Sequence, residues 1–161
     1  MMELLLSLAI LVGTEPIELV KQLMREEVAM ILEPGTVDPF GEEELIRFYT
    51  HDLALAYATV MERQVALNQP LLDGDPITGH QEYCPLRNIT AAETLRDVAA
   101  AQVTVTFQSQ WCFAEAPAEI RDEITTIDFL LVPDTGEWRI MDFNHSGYGS
   151  FRELLGRLVG P

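Results

Sequence analysis

The sequence predicts an α+β fold: a cone of two or three helices packed on a curved antiparallel sheet of about four strands, closed by a short C-terminal helix. Three observations carry this. Up to Gln64, apolar residues recur every three or four positions; from Gln102 they alternate with polar ones; and a stretch rich in Gly, Pro, Asp and Asn, residues 66–85, separates the two regimes. Periods of 3.6 and 2 in separate halves of a chain describe helices laid on a sheet rather than an alternating α/β order.

The 161 residues match one ordinary domain, 14–161, preceded by an apolar segment, 1–13. A chain of this length buries roughly 70% of the surface it exposes when unfolded, and a hydrophobic fraction of 48% is enough to build that core. The sequence contains no repeat and no low-complexity run.

Thr14-Glu15-Pro16 opens the first helix with a hydroxyl, an acid and a proline in the first turn. Ile17, Val20, Met24, Val28, Ile31 and Leu32 continue it at helical spacing until Pro34-Gly35 ends it. A second helix is expected from Glu42 to Gln64, with Glu42, Glu43 and Glu44 where the helix dipole favours acids. The 66–85 loop has room for one short helix.

In the sheet half, Val103, Val105 and Phe107 alternate with Thr104, Thr106 and Gln108. Ile124–Val132 and Trp138–Phe143 form a hairpin in which Gly136 suits a left-handed position. Ser150-Phe151-Arg152-Glu153 is a capping box that opens the last helix. Asn88–Arg96 is ambiguous, because Thr90-Ala91-Ala92-Glu93 also reads as a capping box followed by helix-favouring alanines. It is assigned as a strand paired with 102–111 through a turn near Val98.

Ten basic against 26 acidic residues give a net charge of −16. Nucleic-acid binding relies on Lys and Arg neutralising phosphates, so nucleic acid is excluded as a partner, and an anionic membrane surface is disfavoured on the same ground. Cationic or neutral ligands remain open. Leu4–Val12 is as long as a signal-peptide core and too short to span a bilayer, but Met1-Met2-Glu3 before it carries no basic residue. Export to the periplasm or medium and a cytoplasmic location with a longer first helix both stand.

Two N-terminal helices, Leu72-Asp73-Gly74-Asp75-Pro76 … Gln81-Glu82-Tyr83, and a strand ending in Gly136-Glu137-Trp138-Arg139-Ile140-Met141-Asp142 together resemble the bacterial domain of unknown function 3828, of the nuclear-transport-factor-2-like superfamily. The resemblance covers residues 15–158. It implies the cone-shaped fold, a pocket on the concave side of the sheet and frequent export. It brings no catalytic residues, and the superfamily hosts isomerases, dehydratases, epoxide hydrolases and binding modules alike.

A turn centred on Val98 places Cys84 opposite Cys112, at a separation a disulfide tolerates; the alternative is two inert thiols. Their spacing suits no zinc site. Asp142 shares a strand face with Trp138 and Ile140, and an apolar setting would tune its carboxyl for acid–base work. A three-residue loop, 134–136, places Asp128 opposite Asp142 as a possible proton-sharing pair; a loop one residue different puts Phe129 there instead. Otherwise Asp142 hydrogen-bonds backbone near the strand end.

Asp73 and Asp75 lack the remaining ligands of a calcium loop and read as a turn, so no metal and no cofactor is expected. His80 with Tyr83, and His145 with Tyr148, lie where loops can meet at the mouth of the cone. Candidate ligand contacts are Trp138, Asp142, Tyr57, Trp111, His80 and Tyr83, although Trp111, Tyr57 and Phe107 suit a core better than a ligand cage.

The leading reading is a binding domain for a small ligand or a protein partner at the concave side. The alternatives are a small cofactor-free acid–base enzyme of isomerase, dehydratase or hydrolase type using Asp142, and an acidic immunity or inhibitor protein.

Overall fold

A computed structural model describes residues 13–160. The expectations for the apolar segment, signal peptide or helix extension, fall on residues 1–12 and lie outside the described part. The order is α1 (Pro16–Leu32), α2 (Glu42–Phe48), α3 (His51–Leu67), β1 (Arg87–Arg96), β2 (Ala101–Gln108), α4 (Ala118–Arg121), β3 (Thr125–Asp134), β4 (Glu137–His145), β5 (Gly149–Ser150) and α5 (Phe151–Val159). The sheet is antiparallel and has five strands, each beside its sequence neighbour, the last only two residues long. No described helix is long and apolar enough to cross a membrane.

The period-2 pattern of β2 and β3 becomes two faces. Val103, Val105, Phe107, Ile127, Phe129 and Leu131 point at the helices and are inaccessible to water. α1 covers them with Leu19, Val20, Leu23 and Met24, while α5 inserts Phe151, stacked 4.6 Å from Phe143. Across β2 and β3 the helix-covered face of the sheet is filled by the protein's own side chains. The opposite face carries threonines bonded across strands, Thr90 to Thr106 at 2.5 Å and Thr104 to Asp128 at 2.6 Å.

The expected second helix is two helices. Tyr49 leaves helical geometry and bridges to Ile140, and the Thr50 N–H donates to the Ile140 carbonyl at 2.9 Å. β5 covers β4 only at Asn144 and His145. Ile140 would otherwise leave its carbonyl without a partner in a buried setting, and the break supplies one. Thr50 then caps α3 through its side chain. The 66–85 loop contains no helix; the extra helix is the single turn α4, in the β2–β3 connection.

The ambiguous alanine-rich segment is strand β1. Its central residues Thr90–Glu93 oppose Thr106–Val103, the register of a turn about Val98, with irregularities on either side. Cys84 and Cys112 form a disulfide, Cα to Cα 5.9 Å, just beyond the paired strands.

Next to its turn the β3–β4 hairpin follows the second of the two expected registers, with a loop one residue shorter than 134–136, and it leaves that register only beyond Leu131 and Ile140. Its loop is two residues, Thr135 and Gly136, both with positive φ, 49° and 83°, as a tight turn matched to strand twist requires. Met141 is an extra residue opposite the Leu130–Leu131 step, so Asp142 faces Leu130, and Asp128 faces Asn144. Two corrections follow. Asp128 and Asp142 are not a pair, and Asp142 does not share the face of Trp138 and Ile140, because the bulge resets the alternation and returns Phe143 and His145 to the core instead.

Candidate functional site

On α1, the buried stripe Val20, Leu23, Met24 continues one turn later to Glu27, which is fully buried. A carboxylate in an apolar stripe is out of place, and neither of its oxygens accepts a hydrogen bond from a described protein group. Its neighbour is Asp75, from the loop before β1. Burial first, then the charge and hydrogen bonding of Asp75, then the charge of Asp38, push Glu27 up to about 10. Burial beside a second carboxyl group thus favours the protonated form of Glu27.

Asp75 is also raised by burial, against the pull of the Thr78 N–H, hydrogen bonding to Glu27 and the Ile77 N–H. Those N–H groups donate to its Oδ1 at 2.9 and 2.8 Å, so Asp75 is the pivot of a turn, as its spacing from Asp73 indicates. Asp73 itself accepts from the Gln81 amide.

The same loop is held from the sheet side. His145 Nδ1 accepts from the Gly147 N–H at 2.8 Å, which leaves Nε2 protonated to donate to the Ile77 carbonyl at 3.0 Å. Burial lowers the His145 pKa, and the nearby His80 lowers it further against the carbonyl bond. Tyr148 stacks on His145 at 4.4 Å and donates to the Pro76 carbonyl at 2.5 Å. Gly79 has φ +73°, and a side chain there would meet the His145 ring at 2.6 Å. Tyr49 is buried beside the acid pair with its hydroxyl unpartnered among the described residues.

Above this layer, between the end of α1, the following loop and residues 83–85, runs a groove of about 740 Å³. Met30, Ile31, Val37 and Pro85 make its walls apolar, and Asp38 and Tyr83 supply polar groups. Asp38 and Tyr83 both lie close enough to feel the acid pair: Asp38 raises Glu27, and Tyr83 is raised by burial, then by Asp75 and Glu27. The groove offers mainly apolar walls with one carboxyl and one phenol group among them. Among the described residues no cluster of three or more His, Cys, Asp or Glu is arranged to hold a metal.

The residues singled out from the sequence do not converge. Tyr83 lines the groove, and Trp111 reaches its wall by donating from Nε1 to the Pro85 carbonyl at 2.8 Å. Tyr57 packs 5.0 Å from Phe40 in the helical core. Trp138 is buried at the far end of α1, under the Arg96 guanidinium. His80 faces Glu123 at 3.7 Å. Asp142 accepts from Ser150 Oγ at 2.6 Å, the Arg152 N–H at 2.9 Å and the Phe143 N–H at 2.8 Å, which makes it a brace for the start of α5. Asp128 lies on the open face, bonded to Thr104. Glu27 was missed; the available signal was an acid in phase with Val20, Met24 and Ile31.

No family model matches the chain, and no curated protein matches it. Among solved structures it is similar to the phospholipid-binding protein from Ralstonia solanacearum, determined in complex with a phospholipid, at 13% identity over 88% of this chain and 83% of that one, with a TM-score of 0.43. That likeness is too loose to carry an argument about this chain.

Proposed function

We propose that this chain is a binding domain that takes a small apolar ligand with a cationic or hydrogen-bond-donating end, in the groove between α1 and the 83–85 segment. The groove carries the reading: apolar walls with a few polar groups are the usual composition of a ligand site, and here the polar groups include the carboxyl of Asp38. Of the residues expected at a cone mouth, Tyr83 lines it. Helices on one face of an antiparallel meander are in keeping with the cone-shaped nuclear-transport-factor-2-like architecture and with the resemblance to the domain of unknown function 3828. The Cys84–Cys112 disulfide favours an oxidising compartment, periplasm or medium, over the cytoplasm.

The acid–base enzyme reading is less well supported. Asp142 is engaged by three donors, and Glu27, the carboxyl with the largest shift, is shut away from any substrate. The immunity or inhibitor reading still rests on net charge alone.

The test begins with native and then denaturing mass spectrometry of protein purified without reductant. Extra mass released on denaturation supports the reading. Titration with decyltrimethylammonium, followed by the Trp111 indole N–H signal, is expected to saturate. Asp38→Asn and Tyr83→Ala should each weaken it about tenfold, close to 1.4 kcal/mol. A silent Trp111 at millimolar probe, or variants that bind like the parent, overturns the proposal.

A further inference from the structure

β1 is the outer strand of the sheet, and no backbone hydrogen bond from any other described element reaches its free edge. Nine of its ten residues are exposed; Ala91 alone is half-buried. Register irregularities on both sides isolate a regular stretch, Thr90–Glu93. A free edge of this kind is a template for another strand, and proteins that do not use one usually cover it.

Directly above that edge lies a second groove, about 250 Å³, between β1 and α1. Its walls are Met24, Val28, Ile89 and Ala91, and its rim carries Lys21 and Arg25. Lys21, Met24, Arg25 and Val28 fall at helical spacing, so one side of α1 lies along the strand. Ile89 remains 41% exposed. In a chain with ten basic residues against 26 acidic ones, two cations beside one apolar slot are a local reversal of charge. Lys21 pairs with Glu18 at 3.4 Å, and Arg25 has no ion-pair partner among the described residues.

The geometry points to a peptide-docking site: an extended segment of about four residues adds to β1, drops an apolar side chain into the slot and sets a carboxylate against Arg25 and Lys21. Strand addition beside a helix supplies main-chain hydrogen bonds for affinity and a side-chain pocket for specificity. A slot of 250 Å³ falls below the usual range for small-molecule sites, about 300–1,000 Å³, and suits one or two side chains. An acyl chain would also leave the strand's backbone groups unused. The occupant is therefore an acidic peptide with apolar residues at alternate positions. This site is separate from the groove of the proposed function and does not depend on it.

The probe is an N-acetylated hexapeptide of alternating valine and aspartate, titrated into the full chain and followed by NMR. Binding is expected to shift the Val28 and Ile89 methyl signals and to slow exchange at alternate amides within Thr90–Glu93. K21E combined with R25E should weaken binding at least tenfold, and Ala91→Leu, which fills the slot without altering charge, should weaken it similarly. The same peptide with N-methylated backbone should not bind. The proposal is overturned by an absence of shifts at millimolar peptide or by undiminished binding of the N-methylated peptide. Equal shifts with decanoate would assign the slot to an amphiphile and overturn it too. So would concentration-dependent protection of β1 without peptide, which would assign the edge to a second copy of the chain.

Discussion

The two hairpins of the sheet, β1–β2 and β3–β4, set their registers differently. In β1–β2 a turn about Val98 sets the register at the middle of the strands, and the disulfide closes beyond it. In β3–β4 one extra residue, Met141, shifts the outer half of the pairing and turns Asp142 out of the core face. The outer strand of the first hairpin, β1, has β2 as its one strand partner, so local turn chemistry and alternation decide its register. β4 lies among β3, β5, α5 and the Tyr49 bridge, and it bends to serve all four. A hairpin's register is legible in proportion to how few elements constrain it.

The largest expected effect tests the first hairpin. Replacing Cys84 and Cys112 together with serine opens a crosslink between positions 28 apart in sequence and should cost about 3 kcal/mol, read as a fall in Tm of roughly 10 °C. Amide exchange should then accelerate in β1 and leave β3 and β4 unchanged. Equal loosening of both hairpins would erase the distinction between them.

The second hairpin answers at its bulge. Asp142→Ala removes the acceptor of three hydrogen bonds and should cost about 2 kcal/mol in denaturant unfolding, with α5 fraying first. If Asp142→Ala proves neutral, the bulge has another cause than bracing α5.

pH separates the hairpins in a third way, because the 73–80 loop rests on Glu27 on one side and on the β4 residue His145 on the other. Glu27 is raised from 4.5 to about 10, so its contribution to stability is full below the ordinary carboxylate range and is lost as pH rises toward 10. His145 is lowered, so its contribution is full above pH 6.5 and is lost as pH falls below that value. Glu27→Gln gives Asp75 a donor without a titrating proton. It should flatten the alkaline limb of a Tm–pH profile and add roughly 1–3 kcal/mol at pH 8. An unchanged alkaline limb would mean that Glu27 is not the buried acid that sets it.

The smallest effects lie in the β3–β4 loop and on the open face. Thr135 is a β-branched residue at φ 49°, and Thr135→Asn should stabilise by about 0.5–1 kcal/mol, measured by chemical denaturation. Asp128→Asn, on the solvent face with one bond to Thr104, should change stability by less than about 0.5 kcal/mol and leave ligand binding intact. A large loss of binding there would return Asp128 to the list of site residues.

Much of the scaffold was legible in the residues. The start of α1 at Pro16, the alternation of β2, the glycine of the β3–β4 turn and the Ser150 cap of α5 are each specified within a few positions of sequence. The strand assignment of Asn88–Arg96 was harder, because alanine favours helix; pairing with β2 outweighed that preference. The site was far less legible. Of the ligand residues expected from the sequence, Tyr83 alone lines the groove, and Glu27 was hidden inside a helical pattern to which it adds no apolar character.

By itself the sequence determined the fold class, the order of the main elements and the register of the first hairpin, because helical period, strand period and turn preference are local properties of the chain. Only the tertiary structure decided the break at Tyr49, the bulge at Met141 and the setting of Glu27 beside Asp75. Each answers a need created elsewhere: the Ile140 carbonyl lacked a partner, the first N–H groups of α5 needed an acceptor, and Asp75 arrives beside Glu27 from 48 positions along the chain. Unpaired polar groups are satisfied where folding leaves them, and the position at which that happens is not written in their neighbours.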